Sequence, residues 1–223
     1  MKKLTVAIPT LPPDAGGMER QAFLQLKLLK NYFDLDVFSS SSDDNLLKNF
    51  NIVFYNHKNY KSFLNKEILA LKIFISMMMK GVFFHKGILY LHQINLLTYL
   101  CLFISTFTKK KIFIKLANSG QKFDYVTFSN RYRFLPFLKY FLSLPNVNIL
   151  CISPQIREDF NLNKIESKNL IEFRNGVVFD NLEIKQFEKK SIFYIGRLEP
   201  IKNVTYILKL AKRLKDFNFT IIG

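Results

Sequence analysis

With 223 residues, of which 49% are hydrophobic, the chain has room for one large domain and part of another and can bury a core, which excludes a disordered tail or linker. Lysine and arginine number 33 against 17 acidic residues, a net charge of +16, so the surface attracts anions such as phospholipid headgroups, nucleotide diphosphates or nucleic acid. The excess of Lys, Asn, Ile and Phe is also what an adenine- and thymine-rich coding sequence yields without selection for binding, so charge alone assigns no partner.

In chain order, a buried strand is predicted over residues 4–8, and a loop over 9–17 leads into a helix over about 18–33 with Ala22, Phe23, Leu26, Leu29 and Phe33 on its inner side. Strands follow over 36–40 and 51–54, with a polar loop at 41–44 between them. The next helix covers about 61–80, apolar along Phe63, Leu64, Ile68, Leu71, Ile75 and Met78 or Met79, with Lys61, Lys66, Lys72 and Lys80 spread around it. That stripe, with the run Met77-Met78-Met79, reads as core in preference to a membrane-docking face. Residues 88–108 carry no formal charge and are long enough to span a bilayer, but His92, Gln93, Asn95, Thr98 and Tyr99 interrupt them. They read as a strand ending at His92, a polar loop and a buried helix closed by Lys109-Lys110-Lys111. Strands are then predicted over 112–116, 148–152 and 170–173, with helices over 129–144, where Pro136 can kink or split the turn, and over 154–160. Strands alternating with helices argue for a parallel α/β sheet.

The last segment, residues 191–223, is a second such pattern. A strand over 192–195 is broken by Gly196, a basic turn follows, and a helix from about Asn203 carries Val204, Ile207, Leu208, Leu210, Ala211 and Leu214 on one stripe before a strand over 217–222. One βαβ unit does not bury its own sheet, so the expected organisation is a domain over 1–182 and the incomplete start of another over 183–223. Arg197 and Lys202, with Pro200 between them, stand at a strand-to-helix junction, where open α/β sheets bind ligands and a helix N-terminus favours anions. A guanidinium fork and an ammonium there make a diphosphate clamp; a solvated basic loop is the alternative reading.

Four segments in this order resemble the retaining nucleotide-sugar glycosyltransferases of family 4, whose GT-B arrangement sets two Rossmann-like domains face to face. They are Val6-Ala7-Ile8-Pro9 leading to Ala15-Gly16-Gly17-Met18-Glu19-Arg20, then Ile149-Leu150-Cys151-Ile152-Ser153, then Phe173-Arg174-Asn175-Gly176-Val177, and finally Gly196-Arg197-Leu198 through Lys202-Asn203. The resemblance implies a Rossmann-like parallel sheet with helices on both faces plus the first βαβ of a second such domain, truncated within it. It implies transfer of a sugar from a nucleotide-sugar donor to a glycan or lipid-linked acceptor in cell-surface polysaccharide synthesis, without a cofactor, and a fragment inactive on its own. Gly16 and Gly17 would let the backbone approach the donor phosphates, and Arg197 and Lys202 would hold the diphosphate and stabilise the leaving group. Two departures stand out: the family's paired-glutamate motif is absent, and Asn118-Ser119-Gly120 occupies the place where many members carry His-Gly.

Acceptor-side candidates are Glu19, His92, Asn118, Ser119 and Asp124, the last in an acceptor-facing loop after Asn118-Ser119-Gly120; Glu19 also reads as a helix N-terminal carboxylate and His92 as a structural loop residue. His57 and His85 have no partner at metal-ligand spacing and no acidic cluster supplies one, so no metal is expected. Cys101 and Cys151 lie in apolar runs with no redox or metal spacing, and Pro9, Pro12 and Pro13 interrupt any secretory leader. The expected location is therefore cytoplasmic, with peripheral attachment to the inner face of an anionic membrane. Two rivals remain at this stage: a truncated, non-enzymatic fragment, and a basic nucleic-acid-binding module, although no nucleic-acid motif is present.

Overall fold

The computed structural model describes residues 1–9, 11, 17–40, 53–56, 63–133, 137–176, 190–196, 198 and 202–223. The chain divides into two compact units, Met1–Gly176 and Val177–Gly223.

The first unit is built on a seven-stranded sheet, with β1 (Lys2–Ala7), β2 (Phe33–Ser39), β3 (Val53–Asn56), β4 (Ile88–His92), β5 (Lys111–Leu116), β6 (Val147–Cys151) and β7 (Leu170–Glu172) in the order β3-β2-β1-β4-β5-β6-β7. Every neighbouring pair is parallel. The chain runs outward from β1 to β3 and then returns to the far side of β1. Right-handed crossovers in opposite directions place helices on opposite faces. Accordingly α1 (Gly17–Leu29) packs on one face with Leu4, Val6, Leu35, Val37 and Tyr90. On the other face lie α2 (Phe63–Met79), α3 (Leu96–Thr108), α4 (Asp124–Arg131), α5 (Leu138–Leu142) and α6 (Pro154–Leu162), over a core that includes Leu69, Ile73, Met77, Leu102, Ile112, Ile114, Phe128 and Phe160. This is the Rossmann-like α/β architecture expected from the alternating pattern.

Local chemistry fixes the elements. The Asn95 side chain accepts a hydrogen bond from the Thr98 N–H at 3.0 Å and so caps α3, and Lys109 ends that helix in the left-handed conformation at φ 52°. Gly87 feeds β4 at φ +151°, and a Cβ there would lie 2.8 Å from the Lys3 carbonyl oxygen, so the close pass of chain against β1 requires glycine.

Three expectations are corrected. The first helix stops at Leu29, because a turn at Lys30–Tyr32, with the Tyr32 N–H on the Leu29 carbonyl at 3.0 Å, hands Phe33 to β2; Phe33 joins the core from a strand. The helix predicted over 129–144 is two helices, the first opening at Asp124, so Asp124 starts a helix and does not sit in a loop; Pro136 lies outside the described residues. On α2, the residues that face the core are Leu69, Ile73 and Met77, whereas Ile68, Leu71, Ile75 and Met79 are exposed. The helix is apolar on both sides, and periodicity alone selects neither.

The second unit pairs β8 (Ser191–Ile195) with β9 (Asn218–Ile222) in parallel and connects them through α7 (Val204–Arg213). None of its described residues is buried.

Candidate functional site

A cleft of about 530 Å³ opens where the carboxyl ends of β4 and β5 meet the amino-terminal ends of α1, α2, α3 and α4. This is the crevice created by the reversal of strand order at β1 and β4, the place where doubly wound sheets take their ligands. Pro9 and Glu19 line it from the β1–α1 side, Lys66 and Glu67 from α2, and Gln93, Asn95 and Leu96 from the turn after β4. Asn118, Lys122, Asp124, Thr127 and Arg131 complete it from the segment after β5.

The turn after β4 is held by its own hydrogen bonds. Gln93 sits at φ 61°, its N–H donates to the Lys115 carbonyl at 2.9 Å, and its carbonyl accepts from Thr98 Oγ1 at 2.7 Å. The segment after β5 is anchored from below: Gly120, at φ +62°, donates its N–H to Asp159 Oδ2 on α6 at 2.8 Å. Asn118 Nδ2 donates to Asp124 Oδ1 at 2.6 Å, while Asp124 Oδ2 is buried with no hydrogen-bond partner among the described residues. Burial pushes the Asp124 carboxyl up to about 6, and hydrogen bonds from the Asn118 side chain and from the backbone at Ala117 and Asn118 pull the other way. A carboxyl group poised near neutrality, with one oxygen committed to an amide and one uncommitted, is suited to hold or accept a hydroxyl proton. Arg131 pairs with Glu67 at 3.2 Å and ties α4 to α2.

Of the acceptor-side candidates, the structure brings Glu19, Asn118 and Asp124 together on this cleft. Ser119 is half-buried beside them and caps the short 3-10 turn Gly120–Lys122 with no side-chain bond. His92 is elsewhere: it is buried on the α1 side of the sheet and does not line the cleft. There it registers against Lys115 of β5, and neither ring nitrogen of His92 nor Lys115 Nζ has a hydrogen-bond partner among the described residues. Burial, with the Lys115 charge added, pushes His92 down to about 3, and burial pushes Lys115 down to about 8. The Lys115 ammonium lies 5.3 Å from the centre of the Phe173 ring. Beside them an apolar cavity of about 370 Å³ is lined by Leu4, Leu28, Tyr90, Phe113, Leu150 and Phe173.

Among the diphosphate candidates, Gly17 is the exposed first residue of α1, and Gly16 and Arg197 lie outside the described residues, as does His57. Lys202 is exposed just before α7, its carbonyl accepting the Tyr194 hydroxyl at 3.3 Å. Both cysteines are buried and free, and burial raises each thiol. Among the described residues no His, Cys, Asp or Glu cluster could hold a metal, and no helix is long and apolar enough to cross a membrane. Sequence reasoning missed Lys66, Glu67, Gln93 and Lys122 as cleft residues and Lys115 as a buried cation. The signal for Lys115 was available, since a lysine stands inside the apolar strand Lys111–Leu116.

No family model matches the chain, and no curated protein matches it. Solved structures do match in fold. The UDP co-structure of Staphylococcus aureus MnaA superposes at a TM-score of 0.57 with 12% identity, covering 99% of this chain and 62% of that one. Anabaena Alr3699/HepE in complex with UDP gives 0.57 and 14%, over 100% and 70%. The UDP-GlcNAc 2-epimerase of Neisseria meningitidis bound to UDP-GlcNAc gives 0.52 and 17%, over 99% and 65%. The chain thus spans a little under two thirds of the length of the first and last of these. At such identities the likeness shows the fold, a Rossmann-like α/β fold of GT-B type.

Proposed function

We propose that the chain acts on a nucleotide-activated sugar, as a glycosyltransferase that moves the sugar to a glycan or lipid-linked acceptor in cell-surface polysaccharide synthesis, with retention at the anomeric carbon. The observation that carries the reading is the cleft at the strand-order reversal, where Asn118 orients an Asp124 carboxyl with one uncommitted oxygen beside Glu19, Lys66 and Lys122. Hydroxyl-rich ligands are bound by such mixed sets of amide, carboxylate and ammonium groups. Further support comes from neighbours of this fold whose structures hold UDP, UDP-GlcNAc, or UDP with glucose. In this reading Glu19, Asn118, Ser119 and Asp124 face the acceptor. Gly16, Gly17, Arg197 and Lys202 approach the donor diphosphate and stabilise the charge that grows on the departing nucleotide. His92, away from the cleft, has a structural role. The domain division of the reading is 1–182 and 183–223.

The test is product analysis. The chain, fused to a complete donor-binding domain of the same fold, is incubated with a panel of nucleotide sugars and glycan or lipid-linked acceptors, and the product's anomeric configuration is read by NMR. Transfer with the donor's configuration kept is expected. Inversion of the sugar C2 centre without transfer would assign the chain instead to the epimerase chemistry of its fold neighbours.

A further inference from the structure

We propose that the outer face of α2 and α3, with the two turns that follow them, is a docking surface for a bilayer bearing anionic headgroups. The proposal deepens the reading above by naming the surface on which a lipid-linked acceptor would be met. The two helices pack side by side on one face of the sheet, so their outward sides form one layer surface. That surface is apolar where a solvated layer is polar: α2 exposes Ile68, Leu71, Ile75 and Met79, and α3 exposes Phe103 and Phe107.

The turns sharpen the pattern. Lys110 Nζ donates to the His85 carbonyl at 2.8 Å and holds the turn after α3 against the turn after α2. At this corner Met79, Phe84 and Phe107 are 79%, 70% and 72% exposed, values that leave nearly the whole side chain in water. Lys80, Lys86 and Lys109 are exposed on the same two turns. Between Glu67 and Asp124 the sequence holds no acidic residue to offset the exposed lysines of these turns, and Glu67 itself is paired with Arg131. A second copy of the chain would bring the same lysines against one another, whereas an anionic bilayer complements them. Apolar side chains that enter the headgroup boundary, ringed by lysines that reach phosphates, are the make-up of an interfacial surface. Among the described residues no helix is long and apolar enough to cross a membrane, and the contact proposed is peripheral. The cleft lies at the opposite, amino-terminal ends of the same two helices, about 20 Å along them from this corner, so the outward faces of α2 and α3 run from one to the other.

The test is sedimentation with vesicles of phosphatidylcholine alone or with roughly a third phosphatidylglycerol, at low and high salt. Wild-type protein should be retained on the anionic vesicles at low salt and released as salt rises. Phe84→Ser with Phe107→Ser tests the apolar part, and Lys80→Ala, Lys86→Ala and Lys109→Ala together test the charge. Each lysine near an anionic surface is worth about a factor of five, so the triple variant should bind on the order of a hundredfold more weakly. Far-UV circular dichroism checks that these exposed substitutions leave the fold intact, and the product assay reports separately on the glycosyltransferase reading. Equal retention on both vesicle types, unchanged retention of both variants, or concentration-dependent self-association abolished by Phe84→Ser and Phe107→Ser without vesicle binding would overturn the proposal.

Discussion

Replacing Lys115 with methionine should stabilise the protein at neutral pH. The side chain is fully buried, its Nζ has no hydrogen-bond partner among the described residues, and its nearest electrostatic company is the Phe173 ring and the neutral His92 imidazole. Burial lowers the ammonium from its ordinary 10.5 to about 8. At about 1.4 kcal/mol per pH unit, that displacement amounts to a penalty on the order of 3 kcal/mol whenever the folded protein carries the charge. Because the folded value lies below the unfolded one, the penalty is present in full below pH 8. It is relieved as pH rises toward 10.5, where the unfolded chain holds the proton and the folded one does not. Methionine keeps the length and the apolar stem without the charge. Urea unfolding of both proteins, followed by far-UV circular dichroism, should show Lys115→Met more stable by about 1–3 kcal/mol at pH 7, with the gap closing by about pH 10.5. A variant less stable than wild type at pH 7, or a gap that ignores pH, would refute the reasoning and show that the ammonium has a favourable partner.

The Asp124 carboxyl should titrate near 6 in carbon-detected NMR, and Asn118→Ala should move it upward by removing a bond to the charged form; a downward move would contradict the site geometry. Since its folded value exceeds the ordinary 3.8, the stability it contributes is present at pH 3 and lost as pH rises through about 6. Gly87→Ala should destabilise by about 1–3 kcal/mol, seen as a lower urea midpoint, because the new Cβ meets the Lys3 carbonyl at a positive φ; an unchanged midpoint would mean β4 can shift freely against β1. Amides of the second unit should exchange fast, since none of its described side chains is buried; protection from Ser191 to Ile222 equal to that of β5 would contradict this.

The sheet was legible in the sequence because strands buried on both faces are written as short apolar runs, and Leu4, Val6, Ile112, Ile114 and Ile149 fall in such runs. The segment after β5 that carries Asn118 was readable as lying at the carboxyl end of a parallel strand, but the helix that opens at Asp124 was not, because its start is set by packing on α2 and α6 and not by a local cap signal. What periodicity could not decide was the orientation of α2. Both of its faces are apolar, and the choice is made by α3 and the sheet, which lie far away in sequence. His92 was misplaced for a related reason. Strand parity sends it to the α1 side with Tyr90, while the chain just beyond it turns toward the cleft. The pairing of Glu67 with Arg131 joins residues brought together by helix packing, and no local pattern announces it.

The central claim, recognition of a nucleotide sugar, is tested most directly by titrating the protein with UDP and UDP-GlcNAc in a calorimeter. The account predicts saturable binding that Arg197→Ala and Lys202→Ala weaken by about tenfold or more, the loss expected for one charge-assisted contact to a diphosphate, while Lys212→Ala leaves it unchanged. Absence of saturable binding by either nucleotide, or equal affinity in all three variants and wild type, would contradict it.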